Sequence, residues 1–219
     1  MTQPIYAVSG VGGCGRGVMP LVREQAQLLD MPLDRLVFVD DDQRYKTING
    51  YKVITFSQFT EVEASEHKVV IAIADSNVRK KQAERFSNYG IRPLSVTASN
   101  VVIMDDVQIG EGAILSPFVT LTSNIRIGQH FQANIYSYVE HDCMIGDFVT
   151  FAPGAKCNGN IVIEDHAYIG AGAVIKQGKP GKPLVIGAGA TLGMGAVVTK
   201  SVPPGATVVG NPAKELIKD

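Results

Sequence analysis

The sequence predicts two folds in series: an α/β domain on a small parallel sheet over residues 1–100, then a parallel β-solenoid over residues 101–219. Three observations predict this. Apolar strands alternate with helix-like stretches through the first hundred residues; a glycine-rich turn joins the first strand to the first helix; and a six-residue repeat runs in register from Ile103 to Val174. Alternating strand and helix is the pattern of a parallel sheet covered by helices. A repeat of fixed period outranks local propensity in deciding a fold.

The first strand, Ile5–Val8, runs into GVGGCGRG (Gly10–Gly17), and a helical segment follows to about Leu29. RLVFVDDD (Arg35–Asp42) is a buried strand ending in acids, and KVVIAIAD (Lys68–Asp75) is another. The charged helix pattern SNVRKKQAERFSNYG and the short strand RPLSVT complete the domain. Gly10-x-Gly12-x-x-Gly15 follows a strand and opens a helix, the setting in which backbone N–H groups cradle a phosphate. Asp40 ends the next strand, where a carboxylate can bond a ribose hydroxyl. The bland alternative is that these glycines only allow close helix–strand packing. About a hundred residues make one half of a Rossmann-like sheet, which suits a nucleoside diphosphate better than a dinucleotide.

From Ile103 the chain divides into IMDDVQ, IGEGAI, LSPFVT, LTSNIR, IGQHFQ, ANIYSY, VEHDCM, IGDFVT, FAPGAK, CNGNIV, IEDHAY and IGAGAV. After an interruption at KQGKPGKPLV the register is expected to resume as IGAGAT, LGMGAV, VTKSVP and PGATVV. The fifth position and the first of the next hexad lie two apart, so both point to one side of a short strand. Gly, Asn, Asp and Ser at positions two to four supply corners, where positive φ is cheap. Three such units close one triangular coil, so residues 18 apart stack at about 4.8 Å around an apolar interior.

Within YVEHDCMIGDFV (Tyr138–Val149), Val139 and Cys143 then face the interior and Ile145 opens the next hexad. Glu140, His141 and Asp142 fall on a corner and project outward. An imidazole with an ordinary pKa near 6.5 accepts a proton around neutral pH, and a carboxylate on its other nitrogen fixes the tautomer. The competing reading is a solvated ion cluster. His130 and His166, at fourth positions, and His67 in the first domain are expected to be surface residues.

The formal net charge is -1. No basic stripe points to nucleic acid, and no apolar run approaches the roughly 20 residues that span a membrane. The N-terminus enters a strand without a signal-peptide pattern, which predicts a cytoplasmic protein. Cys14, Cys143 and Cys157 are odd in number and lack paired metal spacing, as expected of buried or inert thiols in a reducing compartment. His130, His141 and His166 stand 11 and 25 residues apart, without the close pair a zinc hydration site of this architecture needs, so no metal is expected.

With both halves in view, the chain resembles the bacterial hexapeptide-repeat sugar acyltransferases of the sialic-acid and bacillosamine type, nearest to the UDP-4-amino-sugar N-acetyltransferases. The likeness runs from the glycine turn through VDD (Val39–Asp41) and NVRKK to EHDCMIGDF, AKCNGN and GNPAK. It implies a left-handed parallel β-helix, a hand the usual crossover rule would not choose. It also implies a homotrimer, a UDP-amino sugar held mainly by the first domain, and acetyl-CoA along the β-helix between subunits. The implied reaction acetylates the 4-amino group of a UDP-linked 4-amino-4,6-dideoxy sugar for surface-glycan biosynthesis, without a metal. Carried over residue by residue, His141 is the general base and Asp142 raises its basicity, while Glu140 matches an acidic position or simply ends a corner. Gly12, Gly13, Cys14, Asp40, Asp41 and Asn134 would bind the sugar nucleotide. Thr150, Gly159, Ala171 and Gly195 would bind the coenzyme. Thr150 replaces a second family histidine and brings a hydroxyl without a charge. Gly159, 18 residues after His141, would leave room for substrate, and KQGKPGKPLV would flank the coenzyme or form a plain corner loop. A sialic-acid-type sugar O-acetyltransferase and a non-catalytic nucleotide-sugar-binding trimer remain open as alternatives.

Overall fold

The computed structural model describes residues 2–42 and 44–216, which form two compact units dividing between Val96 and Thr97, a few residues before the expected boundary. The first unit contains β1 (Ile5–Ser9), α1 (Gly13–Gln27), β2 (Leu36–Val39), β3 (Thr47–Ile48), β4 (Tyr51–Ile54), α2 (Phe56–Glu61), β5 (His67–Ile71), α3 (Ser76–Ser87) and β6 (Arg92–Pro93). Its sheet runs β3-β4-β2-β1-β5-β6, parallel except for the β3–β4 pair. Strands β1 and β2 read as unbroken apolar runs because both their faces are buried. The chain builds outward from β1 through β2, then crosses to β5 on the other side, so strand order reverses at β1.

Strand–helix alternation alone did not reveal two elements of this unit. The β3–β4 hairpin turns on Asn49 (φ 50) and Gly50 (φ 85), the Asn-Gly pair that a type I′ turn selects. Helix α2 opens with a capping box, in which Thr55 accepts from the Gln58 N–H and the Gln58 side chain accepts from the Thr55 N–H.

The second unit is a left-handed β-helix whose short strands stack into three sheets, of five, six and eight strands. Parallel register joins Leu121 to Val139, Val139 to Cys157 and Cys157 to Ile175, as the 18-residue coil requires. First and fifth positions fill the interior: Leu121, Ile125, Phe131, Phe151, Cys157 and Ile169 are fully buried, and Val139, Cys143 and Ile145 nearly so. Each large apolar side chain enclosed this way contributes about 1.5–3 kcal/mol.

The corners are more uniform than their residue types suggest. The fourth residue of all twelve hexads has positive φ, from Asp106 (φ 52) to Gly172 (φ 65). Five of these are bulky, Phe118, His130, Tyr136, Phe148 and His166, for which a left-handed backbone is unfavourable. Stacking across successive coils offsets that cost. Phe118 and Tyr136 lie parallel with centroids 4.8 Å apart, and Phe148 is sandwiched between His130 (5.1 Å) and His166 (5.3 Å). His130 is therefore buried at 6% exposure, and the expectation of a surface histidine fails there; His166 and His67 are half-buried, the latter edge-on to Phe59.

The repeat departs from the expected frame at two places. Leu184, Val185 and Ile186 pair with Ile161, Val162 and Ile163, so the interruption narrows to a five-residue corner insertion, 179–183. Further on, Ile186 bridges Val202 and Leu192 pairs with Val208, a spacing of 16. The corner after Val198 is thus two residues short. Val202, Ala206 and Val208 turn inward, which corrects the frame VTKSVP–PGATVV. Apolar residues at both Val198 and Val202 satisfy either frame, and only stacking on the coil below separates them.

Candidate active site

In the first unit, a cavity of about 200 Å3 opens where strand order reverses, at the C-terminal ends of β1, β2 and β5. Ser9, Gly10, Asp40, Asp41, Ile73 and Arg85 help to line it. Open parallel sheets bind ligands at such a switch point. The glycines divide into distinct roles. Gly10 needs its φ of 103°, and a Cβ on Gly15 would collide with the Gly10 carbonyl, so these two serve the turn and the helix–strand contact. A Cβ on Gly12 or Gly13 would meet nothing within 4 Å, so packing does not explain glycine there. Helix α1 starts at the same point with no side-chain cap and no acid in its first turn, leaving its first N–H groups open to an anion.

Asp40 and Asp41 divide in the same way. Asp41 accepts from the Phe56 N–H (2.9 Å) with one oxygen and from Arg85 (2.6 Å) with the other, and these bonds, the Phe56 N–H first, hold its carboxyl below the usual range. Arg85 also lies 3.8 Å over the Phe56 ring. Asp41 therefore anchors α2 while also lining the cavity. Asp40 accepts from the Asp42 N–H (2.9 Å) with one oxygen and also lines the cavity. The Cys14 thiol is half-buried, and burial pushes its pKa up against the opposing charge of Arg79.

Sequence reasoning passed over Arg79 itself. It is fully buried, and its guanidinium donates to the carbonyls of Ile73 (2.7 Å) and Ala74 (3.2 Å), fixing the loop after β5 that walls the cavity. Burial lowers its pKa to about 10. The NVRKK string contained the only signal: a cation at the fourth place of a helix otherwise patterned for solvent.

In the second unit, the corner Glu140–Asp142 carries the imidazole. Its backbone is tied to the coils on either side, with Asp142 N–H donating to the Ser123 carbonyl (3.1 Å) and Asn160 N–H to the His141 carbonyl (3.0 Å). His141 Nδ1 lies 2.7 Å from Asp142 Oδ2, and Asn124 Nδ2 donates to Asp142 Oδ1 at 3.2 Å. These bonds, His141's first, hold the Asp142 carboxyl below its ordinary range. Asn124, 18 residues before Asp142, is a supporting residue that the coil period alone could have flagged. With Asp142 accepting the Nδ1 proton, Nε2 is left as the acceptor, and the side chain is 42% exposed. Glu140 makes no bond to His141 among the described residues; its charge adds to burial in raising the Tyr138 phenol.

Gly159 sits one coil above His141, where a Cβ would lie 2.5 Å from both Cε1 and Nε2. The space it provides belongs to the imidazole, which corrects the reading that it leaves room for substrate. The remaining expected residues do not join His141 within one chain. Asn134 stands at the preceding corner, with its amide donating to the Phe151 carbonyl (2.8 Å). Ala171 and Gly195 stack on that same corner, the Gly195 N–H donating to the Ala171 carbonyl at 2.8 Å. Thr150 is buried in a strand between Gln132 and Tyr168. Among the described residues, no group of three or more His, Cys, Asp or Glu is placed to hold a metal ion, and no helix is long and apolar enough to cross a membrane.

Comparison with known proteins bears on the fold and the family. Residues 7–86 match the PglD N-terminal domain. A GDP-perosamine N-acetyltransferase of Escherichia coli O157:H7 is 51% identical over 97% of this chain and 96% of its own length. WeeI from Acinetobacter baumannii AYE superposes with a TM-score of 0.95 at 57% identity, covering 98% of this chain and all of that one. The acetyltransferase domain of PglB from Neisseria gonorrhoeae FA1090, solved with acetyl coenzyme A, gives 0.86 at 28% identity over 99% of this chain and all of its own. The chain belongs to the hexapeptide-repeat sugar acyltransferases. More narrowly, it is an acetyl-CoA-dependent sugar N-acetyltransferase, with acetyl-CoA as its co-substrate.

Proposed function

We propose that the protein transfers the acetyl group of acetyl-CoA to the 4-amino group of a nucleoside-diphosphate-linked 4-amino-4,6-dideoxy sugar, in the cytoplasm, for surface-glycan biosynthesis. The observation that carries this reading is the 2.7 Å pairing of His141 Nδ1 with Asp142, which leaves Nε2 open on an exposed corner. Nε2 takes the proton as the amine nitrogen bonds to the thioester carbon and the C–S bond breaks, and Asp142 stabilises the imidazolium that forms. The sugar nucleotide lies over Gly12 and Gly13 with Asp40 on its ribose.

The nucleotide has two readings. The sequence resemblance favours UDP, whereas the 51%-identical relative is named for GDP-perosamine, which favours GDP. A homotrimer fits the distribution of site residues. His141 and Gly159 occupy one corner and Asn134, Ala171 and Gly195 another, so a site using both is completed by a second copy.

Incubation with acetyl-CoA and UDP- and GDP-linked 4-amino sugars, reading released thiol, tests the proposal. Turnover with a UDP-linked acceptor supports the sequence reading, and turnover with GDP-linked acceptors alone reassigns the base. Thiol release only with hydroxyl acceptors would establish the O-acetyltransferase alternative. No release with any amino sugar overturns the proposal.

A further inference from the structure

Beside the imidazole, the His141 corner carries a donor and an acceptor that take no part in moving the proton. Register joins Tyr138 to Lys156 and Val139 to Cys157, so Asn158 stands above Glu140, one coil up. Asn158 also immediately precedes Gly159, the residue that lies over the imidazole. Corner geometry does not call for asparagine here: the left-handed residue of that coil is Asn160 (φ 57), and Asn158 has no positive φ. What engages its side chain is Tyr138, which points outward from its strand and donates its phenol to Asn158 Oδ1 at 2.9 Å. A side-chain amide has one acceptor oxygen and two donor N–H bonds. With the oxygen taken by the phenol, the orientation of the amide is fixed and Nδ2 remains to donate. Among the described residues Nδ2 has no partner, and neither has the half-buried carboxylate of Glu140.

A carboxylate only accepts and Nδ2 only donates, so the group complementary to the pair is one that does both. A hydroxyl does both; a methyl or methylene does neither. In a 4-amino-4,6-dideoxy sugar the amine-bearing carbon has two ring neighbours, one carrying the methyl group and the other a hydroxyl. When the amine meets Nε2, the oxygen of that hydroxyl rides about one hydrogen-bond length away from it. Asn158 and Glu140 are one coil apart, about 4.8 Å. A single bridging oxygen closes such a gap with two ordinary hydrogen bonds.

We propose that Asn158 and Glu140 are specificity-determining residues for the acceptor, bracketing the hydroxyl next to the reacting amine: Asn158 Nδ2 donates to its oxygen and the Glu140 carboxylate accepts its O–H. Tyr138 is a positioning residue that holds the amide in the donating orientation. This deepens the reading that the amine is acetylated at Nε2, and rests on it. The test compares UDP- and GDP-linked 4-amino-4,6-dideoxy sugars with counterparts that lack this hydroxyl, reading kcat/KM by thiol release. The parent is expected to favour the hydroxylated acceptor about 100-fold, as one neutral and one charged hydrogen bond would. Asn158→Ala should cut that ratio about tenfold, lowering turnover of the hydroxylated acceptor far more than that of the deoxy one. Tyr138→Phe should cut it about threefold with an unchanged melt. A residue that only supported the corner would lower both acceptors alike, through His141. Such an equal loss, an unchanged ratio in Asn158→Ala, or a parent indifferent to the hydroxyl overturns the proposal. Calorimetric binding of the paired sugars to the parent and to Asn158→Ala makes the same comparison without turnover, and equal affinities in the parent overturn it too. A wrong base or reaction would abolish thiol release and leave the binding difference in place.

Discussion

Gly159→Ala isolates the position of the imidazole from its presence. Gly159 does not have positive φ, so its backbone accepts alanine without strain. The new Cβ, however, would stand 2.5 Å from His141 Cε1 and Nε2, and 3.0 Å from Cδ2. Carbon contacts settle at about 3.5 Å or more, so the ring must retreat by roughly 1 Å or rotate away from Asp142. A displacement of that size at a reacting group costs about 100-fold in rate, or ~2.7 kcal/mol of transition-state stabilisation. Stability should change little, because a half-exposed ring can yield where a core residue could not. The assay is kcat by thiol release at saturating acetyl-CoA and amino sugar, with a thermal melt of the same sample. Turnover within twofold of the parent would refute the argument that Gly159 seats the imidazole; loss of the cooperative melt would refute the claim that the ring can move aside.

Asp142→Asn should lower kcat about tenfold. The Asp142 carboxyl is held below its ordinary pKa by its bonds with His141 and Asn124. The melt of Asp142→Asn should match the parent's, and a kcat within twofold of the parent would contradict a catalytic role for the pairing. Gly12→Ala should raise the KM for the nucleotide sugar at least ~10-fold with an unchanged melt, because its Cβ meets no protein atom and enters the space proposed for the sugar nucleotide. Gly15→Ala should instead lower Tm, its Cβ striking the Gly10 carbonyl. Asp41 has a depressed folded pKa, so it contributes stability above the ordinary carboxylate pKa that is lost as pH falls through the folded value. Asp41→Asn should cost up to about 1 kcal/mol at pH 7, the half-exposed position being screened, and this difference should shrink near pH 3 in parallel urea titrations.

The β-helix was legible because its repeat fixes which side chains face inward, and Val139, Cys143 and Ile145 followed from alternation alone. The corner of His141 was legible for the same reason, whereas the preference for Asp142 over Glu140 came from the family resemblance. What sequence reasoning missed depends on contacts between coils or between distant segments. His130 reads as polar and exposed until Phe148 stacks on it from the next coil. Asn124 reads as an ordinary corner residue until the 18-residue stack puts it under Asp142. Asp40 and Asp41 are neighbours of one chemistry, and only the approach of Phe56 and Arg85 reveals that Asp41 anchors α2. The Asn49–Gly50 hairpin was readable from its dipeptide, but strand–helix alternation drew attention away from so short a pair.

The central claim is that His141 accepts the amine proton, and kcat for His141→Ala with the preferred amino-sugar acceptor tests it most directly. The account predicts a loss of at least ~100-fold with Tm and oligomer mass unchanged, because a corner side chain adds little to the interior. Activity within a few-fold of the parent in a folded variant would contradict it.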